Sequence, residues 1–309
     1  MVHLNRDKVA LCFPGQLQRV PEIRDVKGGG DFNLPHPFFK KAWETIGFSY
    51  QSFSFKEGER DNCVNLKLQV ASYLLSMASF DRYSRSGGSL DIITEHSMGI
   101  YAALVAGGVF SFDDGLEILS GIGVILEEMG RENPGGMAVI IGLGRKELEK
   151  ICQEVDNSLY IANLNASRHF VISGKAASID KGMTSALKEG ALSAQRLTFN
   201  TPLHSPLMEP IKIKIREYLT NFTINSPDTP IISHWGGKPL INRSEIREFL
   251  VEEVCKPVDW EGCVRSLLAQ GVTCFIEVGP SDTLTKLIRW IDKDIKTVSL
   301  SQIPYEGGI

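Results

Sequence analysis

Ser89-Leu-Asp-Ile-Ile-Thr-Glu-His-Ser-Met-Gly-Ile-Tyr-Ala-Ala-Leu-Val-Ala-Gly-Gly108 decides the fold. Its opening, Ser89 to Thr94, is a short run ending in β-branched Ile92, Ile93 and Thr94, and it reads as a buried strand. The chain passes through Glu95-His96-Ser97-Met98-Gly99 into an apolar helix, Ile100 to Ala106. Gly107-Gly108 closes that helix, because glycine tolerates the left-handed cap. A strand that turns straight into a helix around a serine is the plan of a nucleophile elbow. The bend puts Ser97 at the positive end of the helix, where N–H groups and the macrodipole stabilise an oxyanion. A helix-capping serine satisfies the same pattern. Glu95 stands where the first glycine of Gly-x-Ser-x-Gly is expected, so the motif is weak by itself.

Outward from this segment the chain alternates strand and helix. Val9 to Phe13 is a buried strand stopped by Pro14-Gly15, residues 27–37 form a Gly/Pro-rich loop, and residues 64–83 form a helix with Leu66, Val70, Tyr73, Leu74 and Met77 on one face. A further helix fits 113–129. The middle changes rhythm. Strand Gly136–Leu143, helix Arg145–Val155, strands Leu159–Leu164 and His169–Ser173, helix Ala176–Glu189 and strand Leu192–Phe199 make β-α-β-β-α-β, the split pattern of a ferredoxin-like domain. Alternation then resumes, with strands at Pro230–Ser233 and Thr273–Val278 and helices at 244–254, 260–270 and 281–292. The expected fold is α/β: a large α/β-hydrolase-like domain (1–134 plus 200–309) interrupted by a ferredoxin-like insert (135–199).

Composition narrows the function classes. The 309 residues are 43% hydrophobic and 23% charged, which excludes wholesale disorder. A net charge of −4 gives no basic field for a phosphate backbone, so nucleic acid is not expected as a partner. No apolar run approaches the ~18 residues that span a bilayer, and Arg6, Asp7 and Lys8 before Val9–Phe13 do not resemble a secretory signal. A cytoplasmic protein without membrane contact is expected. The six cysteines, Cys12, Cys63, Cys152, Cys255, Cys263 and Cys274, lack any C-x-x-C pair and read as buried reduced thiols. His3, His36, His96, His169, His204 and His234 are scattered, and no spacing asks for a metal.

Two further segments raise the weight of the elbow: Phe13-Pro14-Gly15-Gln16 and Asn200-Thr-Pro-Leu-His204-Ser-Pro-Leu-Met208. With Glu95–Gly99 they resemble the malonyl-CoA:acyl carrier protein transacylase family and the related acyltransferase domains of polyketide synthases. The resemblance continues through Gly135-Gly-Met-Ala-Val-Ile-Ile-Gly-Leu143, Asn163-Leu-Asn165, Lys256-Pro-Val-Asp-Trp260 and Phe275-Ile-Glu-Val-Gly-Pro280, in the family's order from residue 9 to 292. It implies a Ser–His acyltransferase of fatty acid or polyketide biosynthesis. Ser97 would be the nucleophile, His204 the general base, and the N–H groups of Gln16 and Met98 the oxyanion hole. The histidine would be oriented by a main-chain carbonyl just past the Lys256-Pro-Val segment, near Asp259. His96 would support the turn and Asn165 would line the pocket. The implied substrates are acyl-CoA and acyl carrier protein thioesters. No cofactor or metal is implied.

One departure bears on the substrate. Malonyl-specific members carry an arginine in the helix after the elbow, whose guanidinium pairs bidentately with the malonyl carboxylate. Ungapped counting puts that position on Ile122, within Ser120-Gly-Ile-Gly-Val124, and residues 115–130 hold no arginine or lysine. Malonyl-CoA is therefore not the expected donor; Gly121, Ile122, Gly123 and Leu203 suggest a roomy apolar pocket for a neutral acyl chain. The alternative source of a cation is Arg168, in the turn after Asn165. Glu95, Leu17-Gln18-Arg19 and Ile100 also depart from the family pattern. Lys175, Lys181 and Lys188 are candidates for a basic rim that receives the acidic carrier protein. Two activities share these residues: transfer to a carrier thiol, and release of acyl groups from polyketide synthase carriers by a trans-acting hydrolase.

Overall fold

The computed structural model describes residues 7–18, 36–56 and 63–303. Strand β1 (Val9–Phe13) is buried along its whole length and ends at Pro14, which has no N–H with which to continue a ladder. Helix α1 (Pro37–Ile46) and the hairpin β2 (Phe48–Ser49) and β3 (Ser54–Phe55) follow. Most of the loop read over 27–37 lies outside the described residues, and Pro37 belongs to α1. Proline's fixed φ suits a first helical position, and the His36 side chain caps the N–H of Phe38. Helix α2 (Val64–Arg85) buries more than the expected face, because Leu68, Ala71, Ser72 and Leu75 are buried as well. It is a central helix packed on α1 and on the two helices that follow β4 (Ile92–Glu95), namely α3 (Ile100–Ala106) and α4 (Phe112–Glu132).

The middle of the chain folds as its rhythm predicts: β5 (Gly135–Ile141), α5 (Arg145–Val155), β6 (Leu159–Ala166), β7 (His169–Lys175), α6 (Ala176–Lys188) and β8 (Ser193–Arg196). The last part adds α7 (Lys212–Tyr218), β9 (Ile231–Ile232), β10 (Pro239–Leu240), α8 (Arg243–Glu252), β11 (Val258–Asp259), α9 (Trp260–Ala269), β12 (Cys274–Glu277), α10 (Thr283–Ile291) and β13 (Lys296–Ser299).

The larger sheet has the order β10-β9-β4-β1-β12-β13, parallel throughout except for the β10–β9 pair. Such an order reverses direction at β1, which pairs with β4 on one side and with β12 on the other. In an open parallel sheet a crevice forms beyond the carboxyl ends of the strands at that reversal. The residues following β1 and β4 are Pro14–Gln16 and His96–Gly99, so the motifs singled out in the sequence meet at the crevice. The smaller sheet has the order β11-β6-β7-β5-β8. Its four strands from residues 135–196 are paired antiparallel in the ferredoxin-like order, while β11, from far downstream, adds in parallel to the edge at β6, with Val258 opposite Asn163 and Asp259 opposite Leu164. The sequence gives no periodic signal for this two-residue strand.

Both sheets are covered by helices, and the principal core runs from β1 through α2, α3 and α4 to the loop that carries His204. All six cysteines are buried. No described helix is long and apolar enough to cross a membrane.

Candidate active site

Ser97 sits at the bend between β4 and α3 with φ +57°, a left-handed conformation that costs a residue with a side chain about 1–3 kcal/mol. Neighbouring structure holds it there. Gly99, two residues on, lies so close to the end of β1 that an added Cβ would stand 2.2 Å from the Phe13 carbonyl oxygen. The Phe13 carbonyl also accepts the His96 N–H at 3.0 Å. The elbow and the loop after β1 therefore interlock, which brings Gln16 beside Ser97.

His204 also has φ +57°. Its own N–H donates to the Val254 carbonyl at 2.7 Å. Its ring Nδ1 lies 2.8 Å from the Glu253 carbonyl and 3.2 Å from that of Lys256. Carbonyls only accept, so Nδ1 carries the proton and Nε2 presents a lone pair to the Ser97 Oγ, 2.7 Å away. That is the tautomer a general base needs. The orienting carbonyls lie on and just ahead of the Lys256-Pro-Val segment, not past it near Asp259. The Asp259 carboxylate instead caps α9, accepting from Gly262 N at 2.9 Å. Burial, reinforced by nearby His234, pushes the His204 imidazole down to about 3, with the two carbonyls opposing the shift. It is neutral at physiological pH, with its Nε2 lone pair directed at Ser97 Oγ.

A cavity of about 410 Å³ opens in front of this pair. Gln16 and Met98 line it beside Ser97. The loop carrying Gln16 is pinned by Leu17 N–H to Ser72 Oγ at 2.9 Å and by Gln16 Nε2 to Asn65 Oδ1 at 3.3 Å. Departure of Leu17 and Gln18 from the family pattern leaves this loop against the elbow; Arg19 is outside the described residues. Away from the catalytic pair the wall is mostly apolar, supplied by Leu119, Ile122, Leu126, Met137, Val139, Val171, Leu197, Phe199 and Leu203, with uncharged Gln69 and Asn163 among them. Ile122 is 1% exposed and faces this space from α4. No lysine or arginine lines it among the described residues.

Several sequence expectations are corrected here. Arg168 does not reach the cavity: it is exposed and donates to the Gly142 carbonyl at 2.6 Å. Gly121 does not enlarge the pocket, because the Tyr218 ring fills the space a side chain would occupy. Gly123 does face the cavity, and Leu66 and Gln69 of α2 close over it. Lys175, Lys181 and Lys188, expected as a docking rim and not as cavity lining, are exposed.

His96 lines the cavity next to Ser97. Its Nε2 lies 2.9 Å from Asn165 Oδ1, and Asn165 Nδ2 lies 3.2 Å from His169 Nδ1, a chain that ties the elbow to β6 and β7. The sequence reading missed the partner of Glu95. This residue is fully buried at the end of β4. Its Oε2 lies 2.7 Å from His234 Nδ1 and its Oε1 accepts the His234 N–H at 3.0 Å. The signal was present, since an acid at a crowded position demands a buried donor, but the donor lies 139 residues away.

A serine at a strained strand-to-helix bend, an imidazole in the base tautomer and an acyl-sized cavity together define a Ser–His acyltransferase. Residues 60–300 match the acyl transferase domain model. The chain is 30% identical over 308 residues to the malonyl CoA-acyl carrier protein transacylase of Bacillus subtilis, covering 95% of this chain and 93% of that one. The fold matches the malonyl CoA-acyl carrier protein transacylase of Coxiella burnetii with a TM-score of 0.85 at 27% identity, over 96% and 94% of the two chains. It also matches, at TM-score 0.84, 26% identity and 94% of each chain, a malonyl-transacylase in complex with a type II polyketide synthase acyl-carrier protein. The chain belongs to the acyl transferase domain family, in the branch of the malonyl-CoA:acyl carrier protein transacylases.

Proposed function

We propose that this acyltransferase carries a neutral acyl group, rather than malonyl, from CoA or another thioester to the phosphopantetheine thiol of an acyl carrier protein. Ser97 Oγ attacks the thioester carbonyl while His204 Nε2 takes its proton. The oxyanion that forms is held by the N–H groups of Gln16 and Met98. Collapse breaks the C–S bond, and the protonated His204 returns its proton to the departing thiolate, leaving an acyl-serine. The incoming thiol repeats these steps in reverse. A thiolate is a good leaving group, so one base and an oxyanion hole meet the demand; the chemistry calls for no metal or redox cofactor. His96 and Asn165 brace the elbow, and Ile122 and Leu203 shape the acyl wall.

The observation that carries the reading is the 2.7 Å contact of Ser97 Oγ with a neutral His204 Nε2, beside a cavity whose described walls carry no cation. The division of the chain into 1–134 plus 200–309 and 135–199 belongs to the same proposal, as does a cytoplasmic setting, where buried thiols stay reduced.

The test supplies butanoyl-CoA with and without a phosphopantetheinylated carrier protein and follows acyl-enzyme, acyl-carrier and free acid by mass spectrometry. Acyl-carrier should accumulate, Ser97→Ala should abolish the acyl-enzyme, and His204→Ala should slow its formation by about a hundredfold or more. Free acid in place of acyl-carrier would reassign the protein as a hydrolase. An acyl-enzyme that survives Ser97→Ala would refute the mechanism.

A further inference from the structure

We infer that Glu95 and His234 form a positioning pair that holds the nucleophile's backbone in its strained conformation and links it to the support of the base. The inference rests on Ser97 being the nucleophile and adds two residues to which no role has so far been assigned.

The geometry is specific. Glu95 spends both carboxyl oxygens on one residue: Oε1 on the His234 N–H at 3.0 Å and Oε2 at 2.7 Å from Nδ1. The Ser97 backbone N–H points at the same Nδ1 from 3.3 Å. An imidazole nitrogen that accepts has no proton of its own. Nδ1 therefore accepts from Ser97, its one lone pair shared with the Glu95 O–H, and the ring proton sits on Nε2, which has no hydrogen-bond partner among the described residues. Burial acts in the same sense, pushing Glu95 up to about 8 and His234 down to about 3. A neutral acid and a neutral imidazole can share a site from which water is excluded, whereas either charge alone would be costly there.

The pair also reaches the base. The His234 carbonyl accepts the Asp259 N–H at 2.8 Å. Trp235, the next residue, packs on Phe249 of α8 with ring centroids 4.4 Å apart, and the Lys256 ammonium lies 4.6 Å from the Trp235 ring. Lys256 is one of the two residues whose carbonyls orient His204. One short loop thus grips the nucleophile's amide at His234 and borders the base's anchor at Trp235. A 2.7 Å proton-transfer contact between residues 107 positions apart needs such a common support.

The experiment measures the rate at which a fluorophosphonate probe labels Ser97, which reports nucleophile activation without depending on acyl preference. Failure of the wild-type protein to label would sink the serine mechanism itself; the pair is judged only on variants of a protein that labels. Glu95→Gln keeps an acceptor for the His234 N–H and a donor for Nδ1, and should label within about twofold of wild type. Glu95→Leu, of similar size, should label at least about tenfold more slowly. His234→Phe, which preserves ring packing on Phe249, should do the same and serves if Glu95→Leu does not fold. Thermal melting of each variant separates loss of fold from loss of activation. Labelling of folded Glu95→Leu or His234→Phe at the wild-type rate overturns the inference, and so does a loss in Glu95→Gln as deep as in Glu95→Leu.

Discussion

Placing a malonyl carboxylate in the cavity is the perturbation that most directly tests the acyl preference. The carboxylate would lie against Ile122, which is 1% exposed, among mostly apolar side chains with the neutral amide of Gln69 nearby, and no described lysine or arginine lines the cavity. Leaving a desolvated charge without its partner costs about 3–5 kcal/mol, which corresponds to roughly two to three and a half powers of ten. A butanoyl group of similar length carries no such charge and gains about 0.8 kcal/mol for each methylene it buries. The assay is single-turnover acylation of Ser97, comparing kcat/KM for butanoyl-CoA and malonyl-CoA. The neutral chain should win by at least about a hundredfold. Ile122→Arg supplies the missing fork in place and should shift the ratio toward malonyl by about tenfold or more, with some loss of stability from burying the guanidinium. Wild-type protein that accepts malonyl within a factor of about ten of butanoyl would refute the reasoning, because 1.4 kcal/mol is less than a stranded charge should cost.

Two other outcomes follow from the same coordinates. Stability should be highest across the window from about pH 4.5 to 6.5 and fall on both sides of it, as read by thermal unfolding across pH. His169, His204 and His234 are held down to about 4, 3 and 3 by burial, so the folded state binds fewer protons than the unfolded one, and their contribution is lost as pH falls below 6.5. Burial pushes Glu95, Glu253 and Glu277 up to about 8, 8 and 7, so the folded state binds more protons there and their contribution fades as pH rises above 4.5. The two sets oppose between 4.5 and 6.5, and outside that window each unopposed group tilts stability by about 1.4 kcal/mol per pH unit; a melting temperature still rising at pH 8 would contradict the assignment. Gly99→Ala should destabilise the protein by about 1–3 kcal/mol through overpacking and slow labelling of Ser97, because its Cβ would meet the fixed carbonyl of Phe13; unchanged melting and labelling would mean that the two loops are not interlocked.

Much of the architecture was legible where punctuation is strong. Pro14 ends β1, Gly107 follows α3 and Gly144 precedes α5, so these elements lie where the pattern puts them. Helix α1 escaped notice because it opens on Pro37 within a Gly/Pro-rich stretch and is capped by the imidazole of His36 in place of serine or aspartate. The face assigned to α2 was too narrow, since a helix enclosed by three others buries residues all round and loses its period. Ser97 and His204 were both found, yet their geometry depends on features that have no sequence period: positive φ at each residue, and the carbonyls of Glu253 and Lys256 at the end of α8. The absent cation was readable as Ile122, and Arg168 was the wrong candidate because spacing could not tell that its side chain turns back onto Gly142.

Strand β11 ties proton transfer to the shape of the acyl site. Its two residues are stitched to the rim of the smaller sheet, and they begin two positions after the carbonyl of Lys256 that steadies the imidazole. Met137, Val139 and Val171, from β5 and β7 of that sheet, face the incoming chain. An acyl group bulky enough to displace that wall would drag on the tether of the catalytic imidazole, so fit at the far end of the chain is felt at the reacting oxygen.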